Sequence, residues 1–387
     1  MLIWVIGRGF PDKGNNMRGS FELEQARLLS EYGAGENKVT YITAAFHPYK
    51  RIRKWGFCTF REGSIQVFAT SVFYAPERVH LHLKRFQTKI WKNLLTRAEQ
   101  ETGIPDIIHV HYPSMITIAD PILEYKKRGT KVVATEHWTK VLTNNLDSFQ
   151  KAQLKDYTEG ADRFLCVGNP LKDAVERITN TQREIGIMPN VVSDLFKPRN
   201  ACVADSRYRF VAVGRLVPHK QMDKVVRAFS KAFAGSEDAD LYIVGDGTER
   251  KKLQAIVEEE KLEGKVMLAG TLCRQETAEI VSGSDALICF SRLETFGVPV
   301  IEAWACGKPV IASDCLGFAE YWNEDLGIVV PHDDVDALAR AMVFMRDNGR
   351  KRYDAESIAR YAAKNFGEQA IYQKLMAVYS STIDTAM

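Results

Sequence analysis

Several features that would mark a special class of protein are missing from this 387-residue chain. Its seven cysteines are scattered and form no CxxC pair, which excludes the usual zinc spacings and fits free thiols in a reducing compartment. No stretch approaches the roughly 20 apolar residues of a membrane-crossing helix. The opening run MLIWVIGRGF is too short and too soon interrupted for a secretory signal, and it reads as a first strand. These two absences predict a cytoplasmic chain. There is no short-period repeat and no low-complexity tract. The formal net charge of +3 gives no argument for nucleic acid as a partner. It is unevenly spread: residues 1–195 hold 27 Lys and Arg against 21 Asp and Glu, or +6, leaving −3 for the rest, and most of the excess lies within 50–97.

The length exceeds one ordinary core, so two domains are expected, and 45% apolar with 26% charged residues is a soluble globular composition. Short apolar strands alternate with amphipathic helices, the pattern of an α/β, doubly wound parallel sheet. In the first half, strands are predicted at 2–6, 39–43, 65–69, 105–111, 131–137, 163–167 and 185–188. Between the first strand and a helix at 20–32 lies a loop with Gly7, Gly9, Gly14 and Gly19. It is either a phosphate cradle or a surface loop, since its spacing is not GxGxxG. His109 and His111 alternate onto one face of a strand. Glu136 and His137 end another, at the edge where open α/β sheets bind ligands, and His137 is a candidate acid, base or hydrogen-bond donor. The basic, aromatic run 47–55 and a helix at 77–101 carry Lys84, Arg85, Lys89, Lys92 and Arg97 beside Leu81, Phe86, Trp91 and Leu95. Such a segment suits an anionic membrane surface or simply the solvated face of a domain helix. Pro189, Pro198 and the polar run 199–207 mark a linker with its boundary near 198–206.

The second half restarts the alternation at 208–213 and runs through GRLVPHK, residues 214–220, into a helix ending near 233. Arg215 offers a planar fork for phosphate oxygens and Lys220 a point charge, at a strand end and a helix start. A strand beginning at 241 ends in Gly245-Asp-Gly247; a helix at 248–260, a strand at 266–269 and a helix at 275–282 follow. Strand 286–290 then feeds the stretch SRLETFGVPVIEAWACGKPVIASD at 291–314. Its loop carries Glu294, Thr295, Phe296 and Gly297; its helix has Pro299 in the first turn, Glu302 about one turn in, and Gly307 as a left-handed cap. Free N–H groups collect at that helix start, where anions bind. Strands at 309–313 and 327–331 and helices at 335–348, 350–365 and 367–384 finish the chain. Asp334 and Asp336 match a DxD metal pattern, but they open a helix, so Asp333 or Asp334 is expected to cap it.

As an ordered set these segments are similar to glycosyltransferase family 4, the retaining GT-B glycosyltransferases. ETFGVPVIE at 294–302 resembles the family's Glu-x7-Glu motif, VGRLVPHK at 213–220 its diphosphate loop, and IVGDG at 243–247 its strand and turn. PDIIHVH at 105–111, TEH at 135–137 and the linker 189–198 are similar to the corresponding N-terminal segments. The resemblance implies two Rossmann-like domains facing across a cleft: 1–198 for the acceptor, 206–366 for the nucleotide sugar, and a helix at 367–387 crossing back to the first. It implies transfer with retention from a nucleotide-diphosphate sugar to a glycan or lipid-linked acceptor, with no metal and no further cofactor. Arg215 and Lys220 would hold the diphosphate with N–H groups of Phe296, Gly297 and Val298; Gly19 would lie near the phosphates. Glu302 would bind the ribose, Glu294 and Thr295 the sugar hydroxyls, and Leu272 and Cys273 would edge the base, with Gly245 in the neighbouring turn. His137 would face the sugar and reacting centre. A sugar-nucleotide epimerase and a non-catalytic nucleotide-sugar-binding subunit are the alternatives. The linker has Asn190-Val191 where many members have Asn-Gly, and the first loop has Gly19-Ser20 where many have two glycines.

Overall fold

The alternation resolves into two parallel sheets in a computed structural model that describes residues 1–11, 19–47, 56–73, 80–116, 118–199, 207–315 and 317–384. The predicted Gly14, most of the basic run 47–55, the start of the helix at 77–101 and the polar stretch 200–206 lie outside the described residues. Two compact units emerge: residues 1–191 with 371–387, and residues 192–370. The division falls at Val191, earlier than the expected boundary, because Val192 already pairs with Gly367 of the second unit.

The first unit contains β1 (Leu2–Gly7), α1 (Ser20–Glu31), β2 (Lys38–His47), β3 (Gly56–Glu62), β4 (Ile65–Phe73), α2 (His80–Thr102), β5 (Ile107–His111) and α3 (Asp120–Leu123). It continues with β6 (Lys131–Glu136), α4 (Thr139–Leu142), α5 (Ser148–Gly160), β7 (Arg163–Cys166), α6 (Asn169–Thr179) and β8 (Ile185–Ile187). The sheet order is β3-β4-β2-β1-β5-β6-β7-β8, parallel throughout except for β3, which pairs antiparallel with β4 at the edge. Central strands are buried on both faces, and Ile3, Trp4, Val5 and Ile6 are all fully covered; this is why β1 reads as a continuous apolar run and not as an alternation. The strand order reverses between β1 and β5, so the loops leaving those two strands flank a ligand crevice.

The second unit contains β9 (Tyr208–Val213), α7 (Met222–Phe233), β10 (Ala239–Val244), α8 (Arg250–Glu259), β11 (Val266–Gly270), α9 (Arg274–Ser282) and β12 (Ala286–Cys289). After these come α10 (Val298–Ala305), β13 (Val310–Ser313), β14 (Gly327–Val330), α11 (Val335–Phe344), α12 (Arg350–Arg352) and α13 (Ala355–Phe366). Its six strands are all parallel in the order β11-β10-β9-β12-β13-β14, which reverses between β9 and β12. The predicted helix 335–348 is α11 followed by one π-helical turn, Met345–Gly349. The predicted helix 350–365 is interrupted at Tyr353, after which Asp354 caps α13 through the Ser357 N–H at 3.0 Å.

The last helix, α14 (Glu368–Asp384), leaves the second unit within its first turn, and from Ile371 onward it belongs to the first. Ile371, Leu375 and Tyr379 lie one helical turn apart and are fully buried in the core made by β1, β2 and α1. Burying such side chains is worth about 1.5–3 kcal/mol each.

Candidate functional site

Both sheets put their loops of interest at a carboxyl edge, where the strand order reverses. In the second unit the loop after β9 carries Arg215 and Lys220, and the loop after β12 carries Glu294. The two loops are tied directly: Lys220 Nζ lies 2.5 Å from Glu294 Oε2, with only 16% and 11% of the side chains exposed. Burial opposes the charge on Lys220, but Glu294 outweighs it and the ammonium stays firmly protonated. Arg292 N–H also donates to the His219 carbonyl at 2.8 Å. Arg215 is exposed, and its side chain has no hydrogen bond or ion pair among the described residues. A fixed cation and a free one thus stand at the head of the switch point.

The N-terminus of α10 completes this edge. Gly297 caps it at φ +89°, and a Cβ there would meet the Phe318 ring at 2.6 Å, so only glycine fits. The N–H groups of Phe296, Gly297 and Val298 are taken up by no hydrogen bond among the described residues, which leaves them available to an anion. The helix is anchored from below. Phe296 and Trp304 are buried, Trp304 packs edge-on against Phe318 at 5.6 Å, and its indole donates to the Leu326 carbonyl at 3.2 Å. Thr295 is half-buried beside Gly317, whose missing side chain lets the two backbones touch.

Glu302 is placed less simply. It is 4% exposed on α10, and Arg274, the first residue of α9, sets its Nη1 2.9 Å from Glu302 Oε1. Burial pushes the Glu302 carboxyl up and Arg274 pulls it back. The Arg274 guanidinium also lies over the Phe196 ring, 5.1 Å from its centroid. Sequence reading missed Arg274; a cation two residues beyond Leu272 at a helix start was the only available signal. Leu272 is half-buried, while Cys273 is exposed and acts as the N-cap of α9 in a reciprocal box with Glu276.

Gly245 has a packing role that its place in a GDG turn did not reveal. Its φ is +140°, and a Cβ would fall 1.9 Å from the Gly214 carbonyl oxygen. The two loops are laced by backbone hydrogen bonds from Gly214 to Val244 and from Leu216 to Asp246. Gly245→Ala is therefore expected to destabilise the chain by about 2 kcal/mol or more. Gly264→Ala, with positive φ but open space around it, is expected to cost only about 1 kcal/mol. Urea melts of the two variants check the difference.

Asp334 caps α11 through the Ala337 N–H at 2.8 Å, the structural alternative to a DxD metal site. Asp333 does something else: at φ +69° it receives a bidentate contact from Arg292 and further contacts from Lys224 and Gln221. These cations hold its carboxyl well below the usual range. Asp333 thereby clasps the segments following β9, β12 and β14. At the ends of β13 and β14, Asp314, Cys315 and His332 bring one ligand atom each within 4.8 Å, with His332 Nδ1 2.6 Å from Asp314 Oδ1.

In the first unit the histidines form one cluster. His109 is fully buried and satisfied on both ring nitrogens, by Tyr379 OH and Thr135 Oγ1, each at 2.7 Å. It stacks on His111 at 4.3 Å. His111 Nδ1 lies 3.0 Å from Nε2 of half-buried His137, which stacks on Tyr112 at 4.7 Å. The Arg8 guanidinium lies over the Tyr112 ring, 4.0 Å from its centroid, and pairs with buried Glu22 at 3.1 Å. Burial, with Arg8 nearby, lowers the His137 pKa to about 3, so the ring is neutral. Glu136 is buried and accepts N–H groups from Ser114, His137 and Trp138, and so fixes the loops after β5 and β6. Gly19 sits at φ +74° where a Cβ would strike the Gly9 carbonyl at 2.0 Å, with Tyr41 OH donating to that same carbonyl.

Two family models match the chain: one described as Glycosyltransferase Family 4 over residues 27–194, and one described as Glycosyl transferases group 1 over residues 197–364. The chain is 25% identical over 310 residues to the phosphatidylinositol N-acetylglucosaminyltransferase GPI3 subunit of Saccharomyces cerevisiae, covering 77% of this chain and 67% of that one. It is 24% identical over 386 residues to the N-acetyl-alpha-D-glucosaminyl L-malate synthase of Bacillus anthracis, covering 96% and 94%. Among solved structures, sucrose-phosphate synthase from Thermosynechococcus elongatus superposes with a TM-score of 0.75 at 20% identity over 99% of both chains. HepE of Anabaena, in complex with UDP and glucose, gives 0.71 at 15% identity over 98% of this chain and 100% of that one. With the two family models spanning both units and the Glu294 to Glu302 segment at the switch point of the second, the chain belongs to glycosyltransferase family 4 and is a GT-B glycosyltransferase that transfers a sugar from a nucleotide sugar to an acceptor.

Proposed function

We propose that the chain is a retaining, metal-independent transferase whose second unit holds a nucleotide-diphosphate sugar and whose first unit takes a glycan or lipid-linked acceptor. The observation that carries this reading is the Lys220–Glu294 pair at the β9/β12 switch point, beside free Arg215 and the open N–H groups of α10. Breaking the anomeric C–O bond throws negative charge onto the departing diphosphate. Lys220, Arg215 and the helix N–H groups aimed there stabilise that charge, a role a divalent ion would otherwise fill. The acceptor oxygen forms the new C–O bond on the same face, and its proton passes to the diphosphate oxygen that leaves. Glu302 binds the ribose, Glu294 and Thr295 the sugar hydroxyls, Leu272 and Cys273 edge the base, and His137 is a neutral polar contact to the sugar. Relatives that act on N-acetylglucosamine and on a phosphatidylinositol lipid support a sugar donor and a lipid-linked or small hydroxylic acceptor.

Nucleotide release from a panel of nucleotide sugars, with Glu294→Ala and the Arg215→Ala/Lys220→Ala double variant as controls, tests the assignment. Turnover is expected with at least one donor and to be lost in the double variant; an unchanged double variant overturns the roles. The rate is expected to be indifferent to EDTA, and loss of activity on chelation that added metal restores would refute metal independence.

We also propose that the first unit rests on an anionic membrane surface at the cytoplasmic side. No helix among the described residues is long and apolar enough to cross a membrane. On α2, Trp91 and Leu95 are core residues, whereas Phe86 is 49% exposed beside exposed Lys89 and Lys92, so the apolar contribution to a surface contact comes from Phe86. The side chains of Leu81, Lys84 and Arg85 lie outside the described residues. Co-sedimentation with anionic vesicles is expected for the intact chain and reduced in a Lys84/Arg85/Lys89/Lys92 neutralised variant; a chain that stays in the supernatant refutes it.

A further inference from the structure

Beneath the histidine cluster lies a small cavity whose lining includes Gln25, His111, Thr135, His137, Met188 and Asn190. It leaves about 10 Å³ for the centre of a water-sized molecule, which is room for one. Two polar atoms of these lining residues are orphaned. Gln25 Oε1 and His111 Nε2 are buried, on side chains 7% and 1% exposed, and neither has a hydrogen-bond partner among the described residues. A buried polar atom left dry keeps the full penalty of its lost hydration.

The protons of the cluster determine what the cavity requires. Burial keeps His111 and His137 neutral, so each ring carries one N–H. In one of the two tautomer pairs compatible with the His111–His137 contact, Nε2 of His137 is bare and accepts from His111 Nδ1–H across 3.0 Å. His111 Nε2 is then a lone pair. Gln25 Oε1 is also an acceptor. In that tautomer two residues lining one cavity each carry an unpaired acceptor, and a single water supplies two O–H donors.

We propose that this cavity binds one ordered water that donates to Gln25 Oε1 and to His111 Nε2, and that through it Gln25 and His111 act as positioning residues for His137. The water locks His111 in the Nδ1–H tautomer, and that N–H fixes the His137 ring. The effect on turnover rests on the reading of His137 as a sugar contact; the water and the tautomer do not.

A high-resolution crystal structure of the whole chain, with nitrogen-15 NMR of its histidines, tests the site without any assay of activity. Density within hydrogen-bond distance of both atoms and an Nδ1–H shift pattern for His111 are the expected results. An empty cavity or an Nε2–H tautomer of His111 overturns the proposal. Gln25→Leu should expel the water and lower kcat by about tenfold with donor KM unchanged, as a modest misplacement of a contacting group does. Gln25→Glu at a pH where the carboxylate is ionised keeps the acceptor and should retain the water and most of the rate. A folded Gln25→Leu that has lost the water but turns over like the parent refutes the positioning role. If neither protein turns over with any donor while the water and tautomer are as stated, it is the proposed transfer reaction that fails and not the water site.

Discussion

Replacing Lys220 by alanine is expected to lower kcat/KM for the nucleotide sugar by about 10²–10³-fold, the scale of losing a preorganised charge at a transition state. Lys220 is held before any ligand arrives, since Glu294 fixes its ammonium across 2.5 Å where both side chains are largely covered. In the proposed role, an incoming diphosphate would meet a cation that is already oriented. The same contact predicts that Lys220 and Glu294 behave as a unit. Lys220→Ala leaves an 11%-exposed carboxylate without its partner, at the proposed diphosphate site. The double variant with Glu294→Ala removes that stranded charge, so its loss should be smaller than the product of the two single losses. Arg215 is exposed and lacks a side-chain partner among the described residues. Arg215→Ala should therefore lower turnover without moving the melting temperature, whereas Lys220→Ala should do both. Steady-state kinetics and thermal melts on the four variants decide this. Additive losses for Lys220 and Glu294 would show that the pair does not act together.

The site's polar groups were legible in the sequence to the extent that they lie at ends of apolar strands. Arg215, Lys220, Glu294 and the α10 N-terminus follow from strand, loop and helix order alone, because the carboxyl edge of a parallel sheet collects them. The two parallel sheets and the return of the last helix to the first unit were also expected. What was hidden is tertiary. The edge strand β3 pairs antiparallel through a short turn and carries mostly exposed side chains, so no buried apolar run announces it. Gly245 looks like part of a ligand-binding turn but is required by its contact with the Gly214 carbonyl, which no local pattern encodes. His109 and His111 share a face as alternation predicted; the fold pairs both ring nitrogens of the first and leaves Nε2 of the second without a partner among the described residues. Arg274 is 28 residues before Glu302, and only folding brings them together.

That pair supports the second large effect. Arg274→Ala is expected to destabilise the second unit by about 3 kcal/mol at neutral pH, because it leaves the 5%-exposed Glu302 carboxylate buried and unpaired. The pH dependence gives the cause away. Burial already raises the folded-state pKa of Glu302 above its ordinary value of 4.5, and Arg274 is what restrains that rise. Without Arg274 the folded pKa climbs further while the unfolded value stays put, so the folded state binds more protons across the interval between them. Stability then falls as pH rises through that interval. The deficit of Arg274→Ala relative to the parent should be small below the ordinary carboxyl pKa, where Glu302 is protonated in both states, and should grow towards neutral pH. Glu302→Gln added to Arg274→Ala should remove most of the growth, since the amide has no charge to strand. Donor affinity should follow a different course: Glu302→Gln alone keeps the fold but would weaken the proposed carboxylate–ribose contact, so donor KM should rise in that variant at every pH. Melting curves from pH 4 to pH 8 with donor titrations separate the two effects. A pH-independent deficit in Arg274→Ala would mean that Arg274 stabilises through its packing on Phe196 and not through Glu302.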